Sequence, residues 1–207
     1  MFEKIIQLIT SFFQKKKHIN LGLYGSPNAG KTTLANKIAK DFVGKELGTA
    51  SEIPHETRSV NKLENLIFKH NGKSVEFTLL DMPGISTKID YREFMKYGLS
   101  KKEAQQRARE ATKGVVEAIK MLENVDAAIL VLDATEDPYT EVNLTILGNL
   151  EAKKIPIIIA ANKIDLEKAD LERVKNAFSD YNYPIVGISA LHGHNIDKLY
   201  EELKKRI

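Results

Sequence analysis

The chain has 207 residues, a length that fits one domain, and its 43% hydrophobic residues suffice for a buried core. It has no cysteine, which excludes disulfides, cysteine–zinc sites and thiol catalysis, and its formal net charge of +3 permits contact with RNA or anionic lipid without arguing for either. No apolar run approaches the ~20 residues of a membrane span, and the N-terminus lacks the features of a secretion signal. We therefore expect a cytoplasmic protein, with peripheral membrane contact left open.

Residues 1–17 are predicted to form an amphipathic helix, which we treat as a segment (residues 1–18) separate from a domain at residues 19–207. The apolar residues at helical spacing are Phe2, Ile5, Ile6, Ile9, Phe12 and Phe13. Lysines at positions 15–17 close the segment. Such a helix can pack on its own domain, lie at a membrane surface or bind a partner, and the pattern does not decide among them.

From residue 19 onward, strand and helix patterns alternate along the chain. Strands are predicted at residues 19–24, 63–70, 74–80, 127–132, 155–161 and 185–188, and helices at residues 31–41, 100–123, 141–152, 166–178 and 195–207. This alternation predicts an α/β fold in which helices cover both faces of a six-stranded, mostly parallel sheet. The Asn71-Gly72 hairpin signal makes one edge strand antiparallel. Residues 42–62 and 82–99 lack periodicity and are predicted as long loops.

A glycine-rich segment follows the first predicted strand and opens the first predicted helix. Its residues are Gly25, Ser26, Pro27, Asn28, Ala29, Gly30, Lys31, Thr32 and Thr33. The spacing matches the pattern G-x-x-x-x-G-K-[ST], in which backbone N–H groups and a helix N-terminus surround phosphate oxygens. Lys31 would bring a cation to the β- and γ-phosphates, and the Thr32 hydroxyl would bind Mg²⁺. The segment predicts a nucleoside polyphosphate site.

Two further motifs stand at the ends of predicted strands. In Asp81-Met82-Pro83-Gly84, the carboxylate of Asp81 can hold Mg²⁺ and the N–H of Gly84 can approach a γ-phosphate. In Asn162-Lys163-Ile164-Asp165, the Asp165 carboxylate can accept hydrogen bonds from N1 and the 2-amino group of guanine, a donor pair that adenine lacks. The alternative for Asp165 is a cap at the start of the next helix.

Two weaker signals complete the predicted site. Ser189, Ala190 and Leu191 follow the last predicted strand, where the N–H of Ala190 could meet the carbonyl oxygen of a base. Thr57, in the long loop at residues 42–62, is the candidate for a second hydroxyl on Mg²⁺.

In this order and on this framework, the segments GSPNAGKT, DMPG, NKID and SAL, with a loop threonine, resemble the five motifs of the translation-factor-class P-loop GTPases. The sequences PNAGK, ETR and SALHGHNIDKL are similar in detail to the Era/TrmE-like branch of that family, and the resemblance covers about residues 19–207. It implies a three-layer P-loop fold, with GTP and GDP as ligands and Mg²⁺ as cofactor.

The resemblance also implies roles for individual residues. Thr32, Thr57 and Asp81 would bind Mg²⁺, and Gly84 would sense the γ-phosphate. Asn162 and Asp165 would read guanine, with the stem of Lys163 against the base.

The chain departs from the family in two ways. No C-terminal RNA-binding domain of the kind in Era is expected, so RNA binding is not carried over. Ile85 stands where Ras-like proteins place a glutamine that orients the attacking water, so slow intrinsic hydrolysis is expected. Some relatives use K⁺, held partly by an asparagine that Asn28 matches, and Arg58 is a rival cation. Lys31, Asn28, Thr57 and Gly84 are the expected catalytic residues.

Three functions remain open from the sequence. The first is a slow GTPase switch whose GTP form recruits a ribosomal or membrane-linked effector. The second is a nucleotide-dependent binding module with negligible turnover, and the third is a membrane-surface GTPase that uses the N-terminal helix. A GTP-dependent homodimer is a further expectation from K⁺-using relatives. The apolar residues of the second loop (Ile89, Tyr91, Phe94, Met95 and Tyr97) are interpreted as packing on the domain, with a state-dependent surface as the alternative.

Overall fold

The computed structural model describes residues 18–44, 57, 59–70 and 73–205 of the chain. The predicted helix at residues 1–17, the Asn71-Gly72 turn and Arg58 lie outside the described residues. Within the described part, no helix is both long and apolar enough to cross a membrane.

Six strands and six α-helices alternate through the described residues. In chain order they are β1 (His18–Tyr24), α1 (Lys31–Val43), β2 (Asn61–His70), β3 (Lys73–Asp81), α2 (Tyr91–Met95), α3 (Lys101–Met121), a 3₁₀ turn (Leu122–Asn124), β4 (Ala127–Asp133), α4 (Glu141–Ala152), β5 (Ile157–Asn162), α5 (Leu171–Ala177), β6 (Ile185–Gly187) and α6 (Ile196–Lys204).

The strands form one sheet in the order β2-β3-β1-β4-β5-β6. Only β2 runs antiparallel to its neighbour, and the other pairs are parallel. The predicted α/β fold with a six-stranded, mostly parallel sheet is therefore confirmed. Because parallel strands end at the same edge of the sheet, the loops after β1, β3, β4, β5 and β6 gather there.

Each face of the sheet has its own apolar core. On one face, Leu34 of α1 and Leu199 of α6 pack over strand residues such as Leu21. On the other, Leu147 of α4 and Val174 of α5 pack over strand residues such as Leu130. This burial on both faces fixes the strand ends, and with them the loops that carry the candidate site.

The prediction of an unstructured loop at residues 82–99 is wrong in part, because α2 forms within it. Asp90 caps this short helix by accepting a hydrogen bond from the backbone N–H of Arg92. Phe94 is buried against α3, which confirms packing on the domain for this residue. Met95 and Tyr97 remain 41% and 45% exposed, so they do not join that packing.

The helix predicted at residues 166–178 begins only at Leu171. Asp170 caps it by accepting a hydrogen bond from the backbone N–H of Arg173, and residues 163–169 form turns instead. The backbone N–H of Asp170 also bonds the carbonyl oxygen of Ala134, so tertiary contact fixes where the helix starts. Asp165 is therefore not a helix cap, and that alternative is excluded.

Candidate functional site

The loop between β1 and α1 has the strained backbone that its glycines and asparagine allow. Gly30 has a φ of +95°, and a side chain there would collide with the side-chain amide of Asn162. Asn28 also has a positive φ, of 60°, and its side chain lies on an exposed part of the loop. The loop turns tightly into the N-terminus of α1, as a phosphate-binding loop requires.

The Lys31 side chain folds back over this loop. Its ammonium group donates a hydrogen bond to the carbonyl oxygen of Ser26 over 2.7 Å, and the residue is only 5% exposed. Burial lowers the pKa of Lys31 to about 8, although the nearby Asp81 carboxylate opposes that shift. A bound phosphate would be an anionic partner for the Lys31 ammonium group and would offset the cost of burying its charge.

Three oxygen-bearing side chains meet beside Lys31. The Thr32 hydroxyl lies 2.8 Å from the Thr57 hydroxyl and donates a hydrogen bond to Asp81 Oδ2 over 2.8 Å. Thr32 lies in the first turn of α1, Asp81 ends β3, and Thr57 comes from the predicted long loop. The structure thus brings together the three residues that sequence analysis assigned to Mg²⁺.

The Asp81 carboxylate supplies a test of whether this group fits a metal. Its Oδ1 atom is buried and has no hydrogen-bond partner among the described residues. Burial raises the pKa of Asp81, against the lowering effects of Lys31, Thr32 and Asn61. An unpaired buried oxygen beside two hydroxyls is a suitable donor set for a hard cation such as Mg²⁺. The described residues contain no group of three His, Cys, Asp or Glu side chains that could hold a metal unaided, so phosphate and water oxygens would complete the shell.

The segment after β3 lies directly against the phosphate-binding loop. A side chain on Gly84 would approach within 2.8 Å of the Pro27 Cα, so only glycine fits there. The backbone N–H of Ile85 donates a hydrogen bond to the carbonyl oxygen of Gly25 over 3.1 Å. The Ile85 side chain is 5% exposed and packs in the core with Met82, so it points away from solvent.

Asn162, at the end of β5, links two loops of the site. Its Nδ2 donates a hydrogen bond to the carbonyl oxygen of Ala29, and its Oδ1 accepts one from the N–H of Ala190, each over 2.9 Å. Both bonds are buried. The Ala190 N–H, which sequence analysis assigned to a base carbonyl, is thus used by Asn162 here.

Lys163 contacts a residue that the motifs did not identify. Its ammonium group donates to the carboxylate of Asp133, at the end of β4, which also accepts hydrogen bonds from Thr135. These bonds from Lys163 and Thr135 lower the pKa of Asp133 although partial burial opposes them. Asp133 pairs in register with Asn162, so the sheet sets this contact. The bridge holds the Lys163 stem across the edge of the sheet.

The Asp165 carboxylate faces the loop after β6. A hydrogen bond from the Ser189 side chain, aided by His192 and His194, lowers the pKa of Asp165. His192 Nε2 lies 3.6 Å from Asp165 Oδ2, a neighbour that the sequence motifs did not indicate. Leu191, by contrast, is 73% exposed. The arrangement keeps an ionised carboxylate at the rim of the site, where it can accept donors from a base.

The chain is similar in sequence to known GTPases. A family model described as the 50S ribosome-binding GTPase matches residues 20–163. GTPase Der from Campylobacter hominis is 32% identical over 91% of this chain, and GTPase Der from Fusobacterium nucleatum is 31% identical over 91%. The aligned regions cover 36% and 41% of those relatives, so the chain spans well under half of their length.

Two solved structures of Era share the fold. An Aquifex aeolicus Era variant bound to GDP·AlF₄⁻ has a TM-score of 0.69 and 23% identity, covering 93% of this chain and 57% of that one. An Era complex with MgGDPNP and nucleotides 1506–1542 of 16S ribosomal RNA has a TM-score of 0.70 and 24% identity, covering 92% and 57%. The similarity at this level of identity shows a common fold.

Proposed function

This chain belongs to the family of 50S ribosome-binding GTPases, and on that premise we propose that it is a molecular switch that hydrolyses GTP to GDP and phosphate. The observation that carries the proposal is the meeting of Thr32, Thr57 and Asp81 beside the phosphate-binding loop. Thr57 lies in the loop between α1 and β2, so its hydroxyl can bind Mg²⁺ only when that loop covers the site. Order in a loop that depends on the bound nucleotide is the usual basis of a GTPase switch.

Thr32, Thr57 and Asp81 would hold Mg²⁺, which when bound neutralises charge on the phosphates. Lys31 would turn from the Ser26 carbonyl to the β- and γ-phosphates. The Gly84 N–H would contact the γ-phosphate, which its close packing on Pro27 supports. These groups position the triphosphate and neutralise its charge. Positioning and charge neutralisation account for most of the catalysis of phosphoryl transfer.

Guanine recognition would rest on Asp165. Its carboxylate would accept hydrogen bonds from N1 and the 2-amino group, while Ser189 orients it. Asn162 would act by holding the loops around Ala29 and Ala190 in place. The Lys163 stem, fixed at its end by Asp133, would lie along the base.

Hydrolysis would be slow without help, because the buried Ile85 side chain offers no hydrogen bond to water. We propose that K⁺ supplies the missing charge stabilisation and that Asn28, exposed on the loop, helps to hold it. K⁺ would then act as an arginine finger does in other GTPases.

The test is GTP hydrolysis by the full chain in K⁺ and in Na⁺ at matched ionic strength, with Mg²⁺ present. The expected result is a rate raised by K⁺ and not by Na⁺, and Asn28→Ala should lose the stimulation while keeping GDP affinity. Thr32→Val, as a comparison, should lose both Mg²⁺ dependence and activity. Equal rates in the two salts would contradict the K⁺ proposal.

A binding module with negligible turnover is the second candidate, and the burial of Ile85 is the observation that favours it. Negligible hydrolysis in both salts, together with tight binding of GDP and GTP, would support this function over the enzyme.

The partner of the switch would be ribosomal. The description of the family and the Era complex with 16S ribosomal RNA support this for relatives, and we extend it to this chain. A membrane-surface role remains the alternative for residues 1–18, which we propose as a helical segment outside the GTP-binding domain at residues 19–207. Pelleting with anionic liposomes that is unchanged by deletion of residues 1–17 would exclude that alternative.

A further inference from the structure

Helix α3 has a solvent-facing stripe that carries cations and no carboxylate. Its buried residues are Ala104, Arg107, Ala111, Gly114 and Ala118. The opposite side of the helix carries the exposed residues Lys101, Lys102, Gln105, Gln106, Arg109 and Lys113. At 3.6 residues per turn these six positions share one side, which we call the α3 stripe. Glu103, Glu110 and Glu117, spaced seven apart, follow a separate line along the helix edge.

Helix α3 has an excess of positive charge. Within Lys101–Met121 there are six basic and three acidic side chains. Their excess equals the net charge of +3 that the full sequence carries, so the rest of the chain is balanced. Arg107 is buried, so five of the six basic side chains are exposed. An exposed group of cations on one helix is a pattern of a binding face for an anionic partner.

The cations of the α3 stripe are not used inside the protein. Lys101, Lys102, Arg109 and Lys113 form no ion pair with any carboxylate in the part of the chain that the structure describes. Elsewhere, local pairing is common: Arg92 pairs with Asp90, for example. Charges left available in this way can neutralise phosphates without first breaking an internal contact.

A second element widens the stripe beside Arg109. Lys88, from the segment that precedes α2, lines one depression together with Tyr91, Gln105 and Arg109. A second depression, on the other side of Arg109, is lined by Lys102 and Gln106 and also by the carboxylates Glu103 and Glu110. Arg109 thus lies between Lys88 and Lys102, and Gln105 and Tyr91 can donate further hydrogen bonds, whereas the Gln106 amide donates to Glu110.

This chemistry fits an RNA backbone better than a lipid surface. A helix that lies in a membrane interface buries an apolar face in it, but the apolar side of α3 is packed inside the protein. Towards its C-terminal end, α3 exposes only Val116 and Ile119 as large apolar side chains, at 47% and 41%. Rows of lysine and arginine interleaved with amides are typical of surfaces that follow phosphates.

We propose that the α3 stripe, together with Lys88, is a docking surface for the phosphodiester backbone of RNA. Lys88 lies four residues after Gly84, which packs on the phosphate-binding loop, so RNA on this surface would touch the segment that senses the nucleotide. The proposal names the partner surface of the proposed switch and rests on that function. RNA affinity and GDP affinity are therefore measured separately.

The test is binding of the full chain to a fluorescein-labelled 20-base-pair RNA duplex across a range of KCl concentrations, with GDP affinity measured in parallel. The test variant is Lys102→Gln/Arg109→Gln/Lys113→Gln. The control variant, Lys40→Gln/Lys153→Gln/Lys198→Gln, removes the same charge from exposed sites on other helices or helix ends. Both variants should keep the wild-type melting temperature and GDP affinity.

The expected result is at least a tenfold loss of RNA affinity for the α3 variant and a change of less than twofold for the control. The slope of log Kobs against log[KCl] should fall by about 2–3, as expected for three lost phosphate contacts. An equal loss in both variants, or no RNA binding by a wild-type chain that binds GDP, would overturn the proposal. Loss of binding to phosphatidylserine vesicles without loss of RNA binding would assign the stripe to membranes instead. A wild-type chain that binds RNA but no GDP would refute the proposed function alone.

Discussion

The backbone N–H of Ile85 donates a hydrogen bond to the carbonyl oxygen of Gly25, while the side chain of Ile85 is buried in the apolar core. The residue therefore ties the segment after β3 to the phosphate-binding loop through its backbone. Its side chain contributes packing and faces away from the solvent that a water nucleophile would occupy. A residue of this kind couples two loops without taking part in chemistry.

We predict that Ile85→Gln does not accelerate GTP hydrolysis. The amide would be buried without a partner, and the expected cost is about 1–3 kcal/mol of unfolding free energy. Urea unfolding and single-turnover hydrolysis measure the two quantities. Ile85→Val is the control, with a smaller loss of about 0.5–1.5 kcal/mol and an unchanged rate. A faster rate for the glutamine variant would show that position 85 can reach the attacking water.

Asn162→Ala should weaken both stability and nucleotide binding. The substitution removes two buried hydrogen bonds, to Ala29 and from Ala190, and leaves their backbone groups unpaired. We expect a loss of about 2–4 kcal/mol of unfolding free energy, and GDP affinity lowered at least tenfold by calorimetry.

Asn143→Ala is the matched control for that experiment. Asn143 is also buried and donates a hydrogen bond to a backbone carbonyl oxygen, that of Pro138, but it lies in α4 and not in the site loops. The Asn143→Ala variant should have a lower free energy of unfolding and an unchanged GDP affinity. If Asn162→Ala bound GDP as tightly as the wild type, the linking role of Asn162 would be wrong.

GDP affinity should fall as pH rises above about 8. Burial lowers the pKa of Lys31 to about 8 in the nucleotide-free protein, so this group loses its proton above that pH. Phosphates favour the charged form, so binding above pH 8 must take up a proton and should weaken about tenfold per pH unit. Below pH 8 the lysine is already charged, and affinity should be level. Titrations from pH 7 to pH 9.5 measure this directly.

The control for the pH experiment is Lys31→Arg, whose guanidinium stays charged throughout that range. Its affinity is expected to be lower overall and to fall much less than that of the wild type between pH 8 and pH 9. A wild-type affinity that stays constant up to pH 9.5 would show that Lys31 does not titrate as its burial indicates.

Sequence patterns predicted the fold well where local and tertiary signals agree. Helix α4 has the predicted bounds, Glu141–Ala152, because Thr140 caps it and its apolar residues repeat at helical spacing. The helix after residue 165 was predicted too long, because the Asp170 cap and the contact of its backbone with Ala134 set the start at Leu171. The five-residue helix α2 is too short to give a periodic pattern.

The structure brings together most of the residues that the motifs predicted, since motif spacing reflects how a backbone surrounds phosphates. Asp133 was not predicted because it belongs to no spaced motif, and His192 was assigned no role although it lies in the segment SALHGHNIDKL. Asp133 meets Lys163 through the pairing of β4 with β5, and His192 meets Asp165 across two loops. A charged residue at the end of a buried strand was the one signal available for Asp133, and it is common to many strands.

The most direct test of a guanine-specific switch is the affinity of the wild type and of Asp165→Asn for GDP, ADP and xanthosine diphosphate, measured by calorimetry with Mg²⁺. The wild type should bind GDP alone with high affinity, and the variant should prefer xanthosine diphosphate, because the amide keeps one acceptor for N1–H and replaces the other by a donor that suits the 2-carbonyl of xanthine. Asp170→Asn, at the true helix cap, is the control and should retain the preference for GDP. Equal binding of GDP and ADP by the wild type, or an unchanged preference in Asp165→Asn, would contradict the account.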